Sequence, residues 1–302
     1  MPANVTDGKS ETQPMSRLRG RPIAGRATGD HREKPWTVVS LPPFPAVAMR
    51  VLALLAKEEL GLRELTLQLQ SDPVLASEIL TLANSPLFAF RTEVRTVLQA
   101  TTLLGAQRVK GIALTIAMKT YLTESFQIPA LLASWRHNLA CALVAEEIAR
   151  VSLIEKDFAY LAGLLHDVGR LALGMMKPLE YADLLSSAEI NDSSILEEER
   201  EMFGVDHCQA GKRLMQSWKL PKTFLEVAEH HHAPSGSQFD IVALVNRSCM
   251  IADAIGFSAF NSATPRRFEN VLMTLPERER RLFNPDPEQF AMNVAIKIHS
   301  LE

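Results

Sequence analysis

The chain has 302 residues, 47% of them apolar, enough for one large core or two smaller ones and too apolar for a disordered chain. A formal charge of -3 and a pI near 6.3 give no general field for a nucleic-acid polymer, so none is expected as a partner. No uninterrupted apolar run approaches the length of a bilayer span, and no membrane association is expected.

Residues 1–36 are polar, rich in Gly, Arg, Ser and Thr, and without helical periodicity. They read as a flexible, locally basic arm. The opening MPANVTDGKSETQPM lacks the basic start and apolar core of a secretory signal. Three cysteines, Cys141, Cys208 and Cys249, with no CxxC pair, make no disulfide framework and suit a reducing cytoplasm.

From LPPFPAVAMRVLALL onward the pattern is helical. SDP at 71–73 marks a helix start, with Ser71 or Asp72 as cap and Pro73 in the first turn, where its missing N–H costs nothing. Val74, Leu75, Ile79, Leu82 and Ala83 then recur at helical spacing, and Gly105 breaks the next apolar stretch. No stretch alternates apolar and polar residues as a strand does, so the fold is expected to be all-α. Further helices are expected near 129–151, 157–175, 178–188, 192–203, 207–218, 221–232, 239–256 and 286–300. A seam near 122–130 would divide two packed helical subdomains.

GLLHDVGR at 163–170 places a histidine, an aspartate and an arginine among small and apolar residues. On one continuous helix over 157–175, Leu161, Leu164, Leu165, Val168, Leu171 and Ala172 share a stripe, and His166 and Asp167 face away from it. That reading gives a solvated face with an Asp167–Arg170 ion pair. Gly163 and Gly169 favour instead the close approach of another element. His137 shares its stripe with Cys141, Val144 and Ile148 and is expected to be buried, as a backbone-bonded core histidine or as a ligand. The same choice holds for His207, which opens a helix facing inward through Gly211, Leu214 and Trp218. In the run His230, His231, His232, neighbours diverge by about 100°, so not all three can reach one point. Asp253 lies in an apolar helix, where an ionised carboxylate needs a partner or a metal unless that turn is at the surface.

The order His137, His166–Asp167, His207, His231–His232, Asp253 is a ligand set for a borderline transition metal: iron, manganese, zinc or nickel. Two such metals sharing a carboxylate would activate a water against a phosphorus centre. This order resembles the HD superfamily of metal-dependent phosphohydrolases. Across the chain, LPPFPAVAMRVL (41–52), QSDPVLASEILTLANSPLF (70–88), TTLLGAQRVKGIAL (101–114), AYLAGLLHDVGRLAL (159–173), FGVDHCQAG (203–211) and HHAP (231–234) are similar to the HDOD family, the HD-related output domain of bacterial signalling proteins.

The resemblance implies an HDOD domain over 37–256, made of an N-terminal helical subdomain (37–125) and an HD-like helical bundle (126–256), followed by a C-terminal helical extension (257–302). It implies a regulatory role with a signalling protein as partner. By similarity to the HD-GYP phosphodiesterases, one metal would take His137, His166, Asp167 and Asp253, and Asp167 would bridge to a second held by His207, His231 and His232. The GYP segment is absent, and the lysine usual after HDxG is Arg170, which keeps a positive charge with a different geometry. The alternative to regulation is a phosphohydrolase acting on a nucleotide or cyclic dinucleotide, with Asp167 and Arg170 as its catalytic groups. A third reading is a metal or redox sensor using the cysteines, each of which neighbours a proposed ligand.

Overall fold

The computed structural model describes residues 46–55, 61–88, 90–187, 192–234, 238–262, 265–283 and 286–302. The proposed arm at 1–36 and the start of the first motif, 41–45, lie outside the described residues. Among those described there is no strand, and the fold is all-α. No described helix is long and apolar enough to cross a membrane.

The helices in chain order are α1 (Ala46–Leu55), α2 (Leu62–Gln70), α3 (Pro73–Ala83), α4 (Val97–Leu104) and α5 (Ala106–Leu122). A 3-10 segment, Thr123–Gln127, leads into α6 (Pro129–Ala149), then α7 (Lys156–Leu165), α8 (Val168–Met176), α9 (Pro178–Ser186) and α10 (Asp192–Phe203). Next come α11 (His207–Ser217), α12 (Lys222–His230) and α13 (Ile241–Ala254). The short α14 (Phe268–Leu272) and α15 (Glu277–Arg280) precede α16 (Pro287–Leu301).

Local chemistry sets the ends of these elements. Asp72 is the cap of α3: its carboxylate accepts from the N–H groups of Val74 and Leu75 at 3.1 and 3.0 Å, with Pro73 at the first helical position. Thr96 and Gln99 close a reciprocal capping box at the start of α4. Gly105, at φ 87°, turns the chain from α4 into α5 in a conformation that a side chain would oppose.

The long helix α6 is central to the packing. It packs against α7, α8, α9, α13 and α16, and from Leu139 to Ala145 every side chain is buried. A helix apolar all round belongs inside a bundle. α8 and α12 both pack on α11, while α5 packs on α1, α3, α4 and α7. α16 is tied to α6 by Arg136 with Glu302, two bonds of 2.6 and 2.9 Å, and by Lys297 with Glu147 at 2.9 Å.

Candidate metal centre

One expectation is corrected at once. Residues 157–175 are not a single helix: α7 ends at Leu165, His166 and Asp167 form a turn, and α8 begins at Val168. Asp167 has φ -111° and ψ 23°, outside the helical region. Periodicity could not reveal this, because both halves keep an apolar stripe while packing on different partners. A side chain on Gly163 would come within 2.8 Å of the Ala142 Cα, so α7 lies directly on the backbone of α6. A side chain on Gly169 would overlap the His207 carbonyl and come within 2.5 Å of the Gly211 nitrogen, so α8 lies directly on α11. The turn between these two contacts holds the His–Asp pair.

The solvated-face reading of that pair is therefore wrong. His166 and Asp167 are 1% and 2% exposed, and Arg170 is as deeply buried. The Asp167–Arg170 pair is present, with Arg170 Nε 2.6 Å from Asp167 Oδ2, but inside the protein. His137, His207 and His231 are buried as well. His231 and His232 follow the end of α12 and turn inward, whereas His230 is half exposed beside Glu229. The rings run in a chain: His137 to His166 at 5.4 Å between centroids, His166 to His231 at 4.9 Å, His231 to His232 at 4.4 Å, and His232 to His207 at 4.9 Å.

Backbone carbonyls orient three of the rings. Nδ1 of His137 bonds Phe257 O at 2.8 Å, Nδ1 of His166 bonds Gly163 O at 2.6 Å, and Nδ1 of His231 bonds Ala228 O at 3.0 Å. A proton shared with a carbonyl must sit on Nδ1, which leaves the lone pair on Nε2. Burial keeps His166, His231 and His232 free of a second proton, whereas Cys249, Asp167 and the Phe257 carbonyl outweigh burial at His137 and raise it. His166 and His232 lie well below the ordinary histidine value, and His231 is lowered to about 4, each first by burial. Burial alone would raise Asp167, but the Arg170 guanidinium beside it holds its carboxyl well below the usual range.

The donor atoms nearest to one another, all within 4.8 Å, fall into three groups among the described residues: His137 with His166 and Cys249; His166 with Asp167 and His231; and His207 with Cys208, His231 and His232. Asp253 is in none of them. It lies 3.4 Å from His137 Nδ1 and 3.4 Å from Arg266, and burial pushes its carboxyl up to about 7.

The residues fit a transition metal on one observation above all. His166 Nε2 and Asp167 Oδ1 are buried and have no hydrogen-bond partner in the protein. Two buried lone-pair atoms without a hydrogen bond, one neutral and one anionic with His207 Nε2 3.3 Å away, cost free energy unless a cation completes them. The donor set of imidazole and carboxylate is that of a borderline transition ion.

Sequence reasoning missed Glu199, whose side chain is fully buried. Its Oε2 accepts from the His207 backbone N–H at 2.8 Å and from His207 Nδ1 at 2.7 Å, and its Oε1 accepts from the Tyr181 hydroxyl at 2.5 Å. Ile195, Glu199, Met202 and Phe203 share one stripe of α10. A lone glutamate in that apolar stripe was the available signal.

Burial works against charge on Glu199, yet His207, its bonds, Arg170 and Tyr181 more than offset it and hold the carboxyl below 4.5. The stability it contributes is present above that value and is lost as pH falls through the lowered folded value. Glu199→Gln is expected to cost about 2–3 kcal/mol at neutral pH in urea denaturation, because His207, Tyr181 and Arg170 all lose a charged partner. The gap from wild type should shrink on acidification below pH 4.5; a gap independent of pH would show that the charge is immaterial.

Above the cluster lies a cavity of about 370 Å³, lined by the His and Asp residues other than His207 together with Arg170, Arg247, Arg266, Asn246 and Phe260. Arg247 lies in α13 and donates to Asn246 Oδ1, and its Nε is buried without a partner.

An HDOD domain model matches residues 41–234. The chain belongs to the HDOD family. Solved structures share its fold. An HDOD domain protein of unknown function from Geobacter sulfurreducens is 22% identical with a TM-score of 0.64, over 87% of this chain and 93% of that one. A candidate signal transduction protein from Marinobacter aquaeolei VT8 is 23% identical with a TM-score of 0.66, over 87% of this chain and 58% of that one. A candidate metal-dependent phosphohydrolase from Shewanella amazonensis SB2B is 19% identical with a TM-score of 0.61, over 87% and 92%. Comparison with curated proteins gives no match.

Proposed function

We propose that this HDOD protein is a regulatory component of bacterial signal transduction whose HD-type site holds a single transition metal and whose output is a contact with a protein partner. Residues 37–125 and 126–256 would be the two helical parts of that domain, with 257–302 as an extension. The observation that carries the single-metal reading is the position of Arg170.

A second ion, held by His207, His231 and His232 with Asp167 as bridge, would sit where the guanidinium already lies. Arg170 bonds Asp167 Oδ2 at 2.6 Å, and its Nη2 is 3.3 Å from His207 Nε2. His207 Nε2 is also 2.9 Å from His232 Nε2. Of the second set of donors, His207 is thus already engaged within the protein, by a permanent cation and by His232. The unpartnered atoms, His166 Nε2 and Asp167 Oδ1, belong to the first set. Iron, manganese, zinc and nickel all suit it.

The test is metal content by plasma mass spectrometry of native protein purified without a histidine tag, beside His166→Ala. About one equivalent in wild type, lost in the variant, is expected. The metal-loaded protein is expected to leave a generic phosphodiester intact. No metal in protein from metal-replete cells would refute the metal site.

The cavity favours a second reading, a phosphohydrolase for a nucleotide or cyclic dinucleotide. Three guanidiniums, from Arg170, Arg247 and Arg266, line one opening above the donor cluster. A metal there would supply Lewis acidity, and Arg247 and Arg266 would orient an anionic phosphate. About two equivalents of metal, with phosphodiester hydrolysis abolished in Asp167→Ala, would establish this reading over the first.

A further inference from the structure

We infer that Cys249, and not Asp253, completes the metal site with His137, His166 and Asp167, so that the bound ion carries a thiolate. This rests on the metal reading above and changes its ligand set. Four observations support it.

The donor atoms of His137, His166 and Cys249 lie within 4.8 Å of one another, and the Asp253 carboxylate belongs to no such group. His137 presents its lone pair through Nε2, because Nδ1 bonds the Phe257 carbonyl. Asp253 Oδ1 lies 3.4 Å from that same Nδ1, behind the ring relative to the lone pair, where a carboxylate orients an imidazole ligand instead of binding the ion. His166 Nε2, buried and unpartnered, is shared between the group containing Cys249 and the group containing Asp167.

The helical arrangement explains the choice. Cys249 and Asp253 are one turn apart on α13, so both lie on the face that meets α6, where His137 and Cys141 are also one turn apart. Cys249 faces Cys141 on this face, its sulfur 3.4 Å from that of Cys141. Asp253 is drawn outward by Arg266.

Binding a divalent ion releases the thiol proton to solvent and leaves a sulfur–metal bond, with no change of oxidation state. Two imidazoles, one carboxylate and one thiolate select zinc, iron or another soft-to-borderline ion over magnesium and calcium.

The experiment reconstitutes the full chain with cobalt(II) and records its absorption spectrum. Expected in wild type is a near-ultraviolet sulfur-to-cobalt charge-transfer band, retained in Asp253→Asn and in Cys141→Ser. Cys249→Ser is expected to lose the band and to weaken cobalt binding roughly 100-fold or more, beyond the loss typical of an orienting group. Cobalt bound to wild type without the band overturns the thiolate assignment alone and leaves the metal reading standing. A band that survives in Cys249→Ser, with circular dichroism unchanged, overturns it as well. No cobalt binding to wild type overturns both.

Discussion

Gly169→Ala should destabilise the protein by about 3 kcal/mol or more, although a helical glycine replaced by alanine ordinarily gains up to about 1 kcal/mol. The sign reverses because the new methyl would overlap the His207 carbonyl and meet the Gly211 nitrogen at 2.5 Å. Backbone atoms cannot rotate aside as a side chain can. α8 would have to move off α11, which also separates Asp167 and Arg170 from His207. Gly211→Ala is the control: its nearest atoms lie at 3.4 and 3.5 Å, ordinary contact distances, and the change should stay within about 1 kcal/mol of wild type. Urea denaturation of the three proteins decides the matter. Equal stability of Gly169→Ala and wild type would mean that α8 and α11 are not in backbone contact.

Arg170→Met is expected to cost the metal-free protein about 3–5 kcal/mol, the penalty for removing one partner of a buried ion pair. Asp167 and Glu199 would both remain as buried carboxylates, with Arg170 now at 2.6 Å from the first and 3.9 Å from the second. The same variant should bind about two transition-metal ions where wild type binds one, because a second divalent cation can then take the vacated place beside His207 and His232. Excess metal should therefore restore more stability to the variant than it adds to wild type. Denaturation in chelator, and then in manganese or zinc with metal analysis, reads both effects. A variant that stays at one ion would show that the guanidinium does not exclude the second.

These two expectations share a physical origin. The close approach of helices through glycines brings charges together in a dry interior, where each needs a partner of opposite sign. The protein meets that need with arginine at one end of the cluster. At the other end it leaves His166 Nε2 and Asp167 Oδ1 open.

Much of this was legible in the residues alone. Helical spacing, the Asp–Pro start of α3, the break at Gly105 and the lack of alternating stretches define an all-α chain, because those signals are local and depend on neighbours one turn away. The order of histidines and aspartates, met in segments resembling one family, also named side chains that line the cavity, all but His207. Tertiary structure decided the rest. Only packing shows that 157–175 is two helices meeting at the His–Asp turn, since each half has an acceptable stripe and the partners that bend them, α6 and α11, are distant in sequence. Glu199 was hidden among neighbouring glutamates, and its role emerges only when α10 lies against His207. Which nitrogen of His137 faces Cys249 and which faces Asp253 is set by how α13 packs on α6. Spacing fixes the shared face of a helix, but what each residue on that face meets is set by the element packed against it.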